Sequence, residues 1–322
     1  MTRVLVTGGT GFIGQAVCPA LRAAGYQVSV ATRNPRIAEP MHGFEVRPIA
    51  GVRAGTDWSA AMRDVDTVVH LAARVHMIND PAADPLTEFR RVNTEGPRRL
   101  ADYAAAMGVR RLVFLSTVKV LGEATPSGTA FTENDPPAPV DDYARSKWEA
   151  EQALAAVAAR GRLQVVVLRP PLVYGPNVKG NMLALLERCR KGPVLPLAAV
   201  NNQRSLMYVA NLADIIVRCV GVEAAAGRSY LVRDGDDVST PMLIRTLSRA
   251  MGRPARLYPV PTFLLRAAGR AAGRQAAVDR LTQSLCVDDS RVRRELDWTP
   301  PFSVVQGLEA TAAWFTKRGT AR

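Results

Sequence analysis

No apolar run in this chain approaches the roughly 20 residues that span a bilayer, so no membrane-crossing helix is expected. No charged stretch precedes an apolar one at the N-terminus, which runs straight into a strand, so no secretory leader is expected either. Cysteine is scarce: Cys18, Cys189, Cys219 and Cys286 are scattered without pairing or metal spacing. That makes a reduced, cytoplasmic protein the expectation. The three histidines, His42, His70 and His76, form no ligand set, and no metal is expected. His70 and His76 flank a strand end and read as packing or loop residues. Acid is short relative to base, 29 residues against 42, for a formal charge of +13. Only five of the basic residues are lysine. The arginines are spread along the chain with no basic tail and no interleaved aromatics, so no nucleic-acid partner is expected. An anionic small molecule would need only a few of them.

What is present is an ordinary globular composition, 48% hydrophobic and 22% charged over 322 residues. The first half alternates short valine-rich runs with helical stretches. Strands are expected at 3–8, 27–32, 44–49, 67–72, 111–116 and 163–170. Helices are expected at about 12–24, 57–63, 86–107 and 141–159. Strands alternating with helices predict βαβ units, hence a doubly wound α/β fold of Rossmann type with a parallel sheet covered on both faces. After residue 170 glycine and proline become frequent and the elements shorten, with helices expected near 181–190, 210–222, 240–251, 261–272 and 303–317. The expected division is a dinucleotide-binding domain over 1–170, rejoined by about 204–222, and a smaller substrate-binding lobe over 171–322. The segment FLLRAAGRAAGR (263–274) could lie on a membrane surface, but its glycines favour packing under that lobe.

Three motifs carry chemistry. TGGTGFIG sets Gly8, Gly11 and Gly14 between a strand and a helix. The first glycine suits a tight turn, the second close approach of a pyrophosphate, and the third helix–strand packing. The anion then sits on the helix N-terminus. YARSK puts Tyr143 and Lys147 on one helical face. A lysine cation beside a phenol favours the phenolate, so the pair is expected to lower the tyrosine pKa and exchange a proton with an alcohol or ketone oxygen. FLSTVKVLG ends the fifth strand on Ser116 and Thr117, at the edge where such sheets bind ligands, and a hydroxyl there can orient the same oxygen.

With VVHLAA (68–73), RVNTEG (91–96), LRPPLVYGP (168–176), RSLMYVANLAD (204–214) and the tail SLCVDDSRVRRELDWTP (284–300), these motifs make the chain resemble an extended short-chain dehydrogenase/reductase of the nucleotide-sugar epimerase/dehydratase type. The resemblance implies Thr117, Tyr143 and Lys147 as a catalytic triad, with Lys147 also bonding the nicotinamide ribose. It implies a dinucleotide site lined by Gly8, Gly11, Phe12, Ile13, Gly14, Thr32, Arg33, Leu71, Ala72, Ala73, Ser116, Tyr143, Lys147 and Pro170. It implies a nucleoside-diphosphate sugar held by Arg204, with Asn181 and Arg280 as further contacts and Thr117 at the reacting oxygen. A homodimer through the helices at 86–107 and 141–159 also follows from it.

Two departures from the family pattern bear on the reaction. The related dehydratases follow the catalytic threonine with an Asp-Glu pair, whereas Val118 and Lys119 stand here, which rejects a dehydratase. The second strand ends Ala31-Thr32-Arg33, with Thr32 where NAD-using epimerases of the family carry Asp. Losing that carboxylate removes its repulsion toward a 2′-phosphate, which Arg33 can pair, so NADP(H) is favoured over NAD(H). The expected reaction is therefore reduction of a nucleotide-linked 4-keto sugar, as in the branch that makes precursors of bacterial surface polysaccharides. The alternative is a UDP-hexose 4-epimerase with tightly bound NAD. Reduction of a non-sugar ketone and a non-catalytic NADP-binding regulator are the remaining readings.

Overall fold

The computed structural model describes residues 1–34, 43–75 and 84–320; His42 and His76 lie outside them. In chain order the elements of the first half are β1 (Arg3–Thr7), α1 (Gly14–Ala23), β2 (Gln27–Thr32), β3 (Glu45–Pro48), β4 (Thr67–His70), α2 (Pro85–Asn93), α3 (Glu95–Ala106), β5 (Arg111–Leu115), α4 (Asp142–Ala158) and β6 (Gln164–Arg169). There follow β7 (Leu172–Tyr174), α5 (Gly180–Lys191), β8 (Leu206–Tyr208), α6 (Val209–Gly221), β9 (Ser229–Leu231), α7 (Thr240–Ala250), α8 (Thr262–Ala271), α9 (Gln275–Thr282), α10 (Ser290–Leu296) and α11 (Val304–Thr320).

Seven strands form one sheet in the order β3-β2-β1-β4-β5-β6-β9, and every neighbouring pair is parallel. The chain leaves β1 for β2 on one side and returns to β4 on the other, so the order reverses between β1 and β4. Loops diverge there beyond the strands' carboxyl ends and open a crevice. The strands can be nearly all apolar because both faces are covered. On one face Val4, Val6, Val30 and Val69 pack with α1, α6 and α10 through Val17, Leu21, Ile216 and Val292. On the other, Leu5, Val68, Leu112 and Phe114 pack with Leu100 of α3 and Leu154 of α4. A third core joins β7, β8, α5, α7 and α11 around Tyr174, Leu186, Leu247 and Leu308. Asp234 ties that core to the sheet: it accepts hydrogen bonds from the Tyr174 hydroxyl (2.7 Å), the Tyr208 backbone N–H (2.7 Å) and Asn211 Nδ2 (2.8 Å).

The α/β doubly wound class is as expected, but several elements differ. The helix expected at 57–63 is a set of turns: Asp57 binds Ser59 through its backbone and hydroxyl, and one Met62-to-Trp58 bond (2.9 Å) is enough to drop both side chains into the core. The helix expected over 86–107 is two helices broken at Thr94. Pro97 has no N–H for the Asn93 carbonyl, and the Thr94 hydroxyl is drawn to the Ser146 carbonyl at 2.8 Å. The three-residue strands β7, β8 and β9 and the helices α9 and α10 were not anticipated. Helix α8 packs under the lobe on one side only, through Leu265 and Gly269, and leaves Phe263 and Leu264 exposed.

Candidate active site

The three glycines divide their work as their spacing suggests. Gly8 has φ +71°, and a Cβ there would sit 2.7 Å from the Ala72 nitrogen, so the turn after β1 rests on the backbone after β4. A Cβ on Gly14 would collide with the Gly8 and Gly9 carbonyl oxygens. Gly11 is exposed, and a Cβ there would meet only the Gly8 oxygen, at 3.2 Å. The middle glycine thus leaves a bare surface at the start of α1, beside half-buried Phe12 and Ile13 and opposite Leu71, Ala72 and Ala73. That cradle fits a dinucleotide pyrophosphate.

At the end of β2, Thr32 is buried and its hydroxyl bonds the Asn34 backbone, accepting from N–H at 3.3 Å. Arg33 is exposed and forms no ion pair among the described residues. It is joined by an arginine that sequence reasoning missed. A Cβ on Gly51 would lie 3.7 Å from Arg33 Cδ and 3.5 Å from Arg53 Nε, so the two side chains converge over that glycine. Twenty residues separate them, and only the β2–β3 pairing brings them together.

The catalytic candidates gather where β5, α4 and β6 meet. Thr117 follows β5, is buried, and opens a 3-10 turn over Val118–Val120, its hydroxyl accepting from the Lys119 N–H at 3.3 Å. Pro170 is buried and accepts from the Val118 N–H at 2.9 Å, which ties that turn to the end of β6. Lys119 reaches Asp141 at 2.6 Å and Glu123 at 2.8 Å. Asp141 caps α4 by accepting from the Ala144 N–H at 2.7 Å. Lys119 therefore clamps the threonine turn to the helix start that presents Tyr143. Tyr143 meets Phe89 edge-on, ring centres 6.1 Å apart. Asn93, buried, bonds the Arg74 backbone and Ser146 Oγ, and Ser146 donates to the Tyr143 carbonyl at 2.8 Å. Asn93 lay in plain view within RVNTEG, but spacing alone gave it no role.

Lys147 is buried one turn below Tyr143, its ammonium 3.9 Å from the centre of the Phe114 ring. His70 stacks with Phe114, centres 5.8 Å apart, and shares a 2.7 Å hydrogen bond with Thr7. Beneath Lys147 lies Glu151, buried and gripped by Arg169 at 2.6 Å. Ser116 gives its hydroxyl to the same carboxylate, so that side chain is committed inside the protein.

These surroundings correct the expected tyrosine pKa. Burial pushes Tyr143 up to about 12, and the Asp141 charge adds to the rise. Burial pushes Lys147 down to about 7, with Glu151 opposing. Desolvation outweighs the pairwise attraction that the i, i+4 spacing suggested. Burial likewise takes His70 down to about 3, with Lys147 contributing, so His70 is a neutral packing group.

Arg204 sits where an irregular ladder crosses the lobe, pairing with Val238 on one side and Leu285 on the other. Its Nη1 donates to the carbonyls of Arg280 and Gln283, both at 3.2 Å. Burial lowers its pKa, and no carboxylate pairs with it among the described residues. The segment around Leu285 also pairs Thr125 with Ser284 and Phe131 with Val287, linking the Arg204 strand to the loop that follows Thr117. Arg280, at the end of α9, is exposed and joined to Arg204 through its backbone only. Asn181 is exposed at the start of α5. Among the described residues no cluster of His, Cys, Asp or Glu could hold a metal ion.

Comparison with known proteins gives the same frame. Residues 4–232 match the NAD dependent epimerase/dehydratase family. The chain belongs to this family. It is 40% identical to a UDP-glucose 4-epimerase of Vibrio cholerae over 314 residues, covering 97% of this chain and 95% of that one. It is 30% identical over 330 residues to a dTDP-6-deoxy-L-talose 4-dehydrogenase (NAD(P)(+)) of Kitasatospora kifunensis, covering 99% and 96%. Its fold is that of the UDP-glucuronic acid 4-epimerase from Bacillus cereus solved with NAD: TM-score 0.78, 20% identity, 98% of this chain and 99% of that one. The chain is thus an epimerase/dehydratase-type enzyme of the extended short-chain dehydrogenase/reductase group.

Proposed function

We propose that this protein is an oxidoreductase acting at C4 of a nucleoside-diphosphate sugar, and that it reduces a 4-keto sugar with NADPH in the synthesis of surface-polysaccharide precursors. The observation that carries this reading is the Lys119–Asp141 ion pair at 2.6 Å, which joins the turn opened by Thr117 to the start of the helix bearing Tyr143 and Lys147, with Arg204 on a segment bridged to the loop after Thr117. Tyr143, Lys147 and Gly8–Gly14 would hold the dinucleotide, whose reduced nicotinamide supplies a hydride when bound. Tyr143 is a neutral phenol at physiological pH, as a proton donor must be, and gives its proton to the C4 oxygen. The Lys147 charge offsets the phenolate that forms, and the Thr117 hydroxyl fixes the orientation of the same oxygen. Arg204 can fork onto the diphosphate with the nitrogens that Arg280 and Gln283 leave open. Arg280 and Asn181 are further substrate contacts in this reading.

No acid–base pair follows Thr117, where Val118 and Lys119 stand, which argues against dehydration. One feature favours reduction over epimerisation. Arg33 and Arg53 converge where an NAD-specific site would carry a carboxylate, an arrangement suited to a 2′-phosphate. A 4-epimerase with retained NAD is the second reading, favoured by the 40% identity to an epimerase. A homodimer through the outer faces of α2, α3 and α4 accompanies either.

The test is to release any bound dinucleotide with acid, identify it, and titrate the emptied protein with NADPH and NADH. An empty protein that binds NADPH much more tightly supports the reductase. Retained NAD without preference for NADPH supports the epimerase and reduces Arg33 and Arg53 to surface charges. Tyr143→Phe is expected to abolish turnover and leave dinucleotide binding intact.

A further inference from the structure

Helix α8 is built with two unlike sides. Leu265 packs on the lobe core, and Gly269 lets α9 approach so closely that a Cβ would lie 2.6 Å from Val278 Cγ2. The opposite side is apolar and open to solvent. Phe263 is 69% exposed and Leu264 48%, and Ala267, Ala268 and Ala271 continue their rows at i+4 spacing. Arg266 and Arg270 form a third row along one margin of that face, and Arg274 follows in the turn between α8 and α9. Val194 and Tyr258 add exposed apolar surface on adjoining loops, joined by the bond from the Tyr258 N–H to the Leu195 carbonyl at 3.1 Å.

The segment that carries this face is strongly basic. Between Thr240 and Thr282 the chain carries eight arginines and one acid, Asp279, which supplies seven of the thirteen net positive charges of the whole molecule. Asp279 is 3.9 Å from Arg266. Arg245, Arg249, Arg253, Arg256, Arg270 and Arg274 form no ion pair among the described residues. Three of them, Arg245, Arg249 and Arg253, line a depression at the end of α7.

We propose that this face docks on an anionic lipid bilayer. Phe263 and Leu264 enter the headgroup region, and the arginines along the margin lay their stems over it and hold lipid phosphates. The charge selects against a second copy of this chain, since a two-fold contact would set Arg270 and Arg274 of one copy against the same two residues of the other, and neither forms an ion pair among the described residues. The aliphatic rows select against nucleic acid: a base could stack on Phe263, but Leu264 and the alanines would be left without a partner. A bilayer rich in anionic lipid supplies both the apolar and the negative surface. Helix α9 leads from this face to Arg280, whose carbonyl receives Arg204, so docking places the candidate diphosphate clamp at the membrane surface.

The full-length protein would be floated with vesicles of phosphatidylcholine alone and of phosphatidylcholine with about 30 mol% phosphatidylglycerol, at low salt and at about 0.15 M salt. Association with the anionic vesicles only, weakened by salt, is expected. The exposed double variants Phe263→Ser/Leu264→Ser and Arg270→Gln/Arg274→Gln should each weaken it about tenfold or more, with thermal melts unchanged. Absence of binding to anionic vesicles at low salt would overturn the proposal. So would binding that Phe263→Ser/Leu264→Ser leaves intact, which is adsorption by charge alone. A concentration-dependent dimer dispersed by that same variant assigns the face to a second copy and overturns it too, as does preference for single-stranded RNA over the vesicles. None of these outcomes touches the reading of the catalytic centre, because none involves its residues.

Discussion

Replacing Glu151 by glutamine removes one charge from a pair that water does not reach. The side chains of Arg169 and Glu151 are 7% and 5% exposed, and their closest atoms are 2.6 Å apart. Two further bonds from Arg169 Nε, at 3.1 and 3.2 Å, complete the fork. Glutamine keeps the shape but leaves a guanidinium buried without a counter-charge, at a cost of about 3–5 kcal/mol. With an unfolding entropy of about 2.1 cal/mol/K per residue over the whole chain, that is a fall in Tm of about 4–7 °C.

Helix α4 carries its own control two residues away. Glu149 pairs with Arg90 at 2.5 Å, just as closely, but with 29% and 46% of the side chains exposed. In the single chain water screens that pair, so Glu149→Gln should cost the monomer at most about 1 kcal/mol. A third variant, Glu151→Leu with Arg169→Met, removes both charges and should recover much of the loss. Calorimetric or fluorescence melts of the three proteins at neutral pH make the comparison. Equal shifts for Glu149→Gln and Glu151→Gln would refute the reasoning, because geometry would then matter and burial would not.

The nucleotide loop offers a similar contrast. Gly14→Ala drives a Cβ into the Gly8 and Gly9 carbonyls and should lower Tm markedly, whereas Gly11→Ala meets only one oxygen at 3.2 Å and should fold normally but bind dinucleotide weakly by calorimetry. Lys119→Met leaves the Asp141 charge, which already raises the Tyr143 pKa, without its 2.6 Å partner. The phenol then holds its proton more tightly, and kcat should fall by up to about tenfold, one pKa unit, with little change in KM. Lys147 binds its proton with a folded pKa of about 7, below the value of about 10.4 in an unfolded chain. Its burial penalty is therefore full below pH 7 and relieved as pH rises toward 10, where the unfolded chain holds a proton that the folded one does not. Urea midpoints of the ligand-free protein should accordingly rise from pH 7 to pH 9 relative to Lys147→Met, by up to about 1.4 kcal/mol per pH unit.

The long elements were legible because each repeats one signal many times. Five strands of the sheet are apolar runs, and the glycine loop and the YARSK helix sit at their ends. The break at Thr94 was hidden because apolar spacing runs across it, and only the missing Pro97 donor and the pull of Ser146 stop the helix. Strands β7, β8 and β9 have three residues each, too few to show a period. In the candidate site, Tyr143 and Lys147 were proposed from type and spacing, and Thr117 and Arg204 from the family resemblance, whereas none of their surroundings could be read that way. A glutamate four residues after a lysine on a helix reads as a solvated face, yet Glu151 is enclosed because β6 brings Arg169 to it. Arg53 carried no signal at all, since its meeting with Arg33 depends on the β2–β3 register.

Under the proposed function, the same enclosure gives two opposing pKa shifts complementary uses. A tyrosine meant to donate a proton must hold it until the substrate oxygen accumulates charge, and burial does that by raising Tyr143 to about 12. A lysine meant to stabilise the resulting phenolate must be charged at that moment, yet burial has taken Lys147 to about 7. Glu151 is the natural counterweight, but Arg169 and Ser116 already draw on its carboxylate, so little of its charge is left for Lys147. The balance therefore sits near neutrality and is set by what fills the crevice above. An anionic dinucleotide beside Lys147 favours its ammonium form, and that ammonium in turn eases proton release from Tyr143. Under the proposed function, the apparent conflict between the helical spacing and the buried pKa values then disappears: the fold would poise the pair and a bound dinucleotide would charge it.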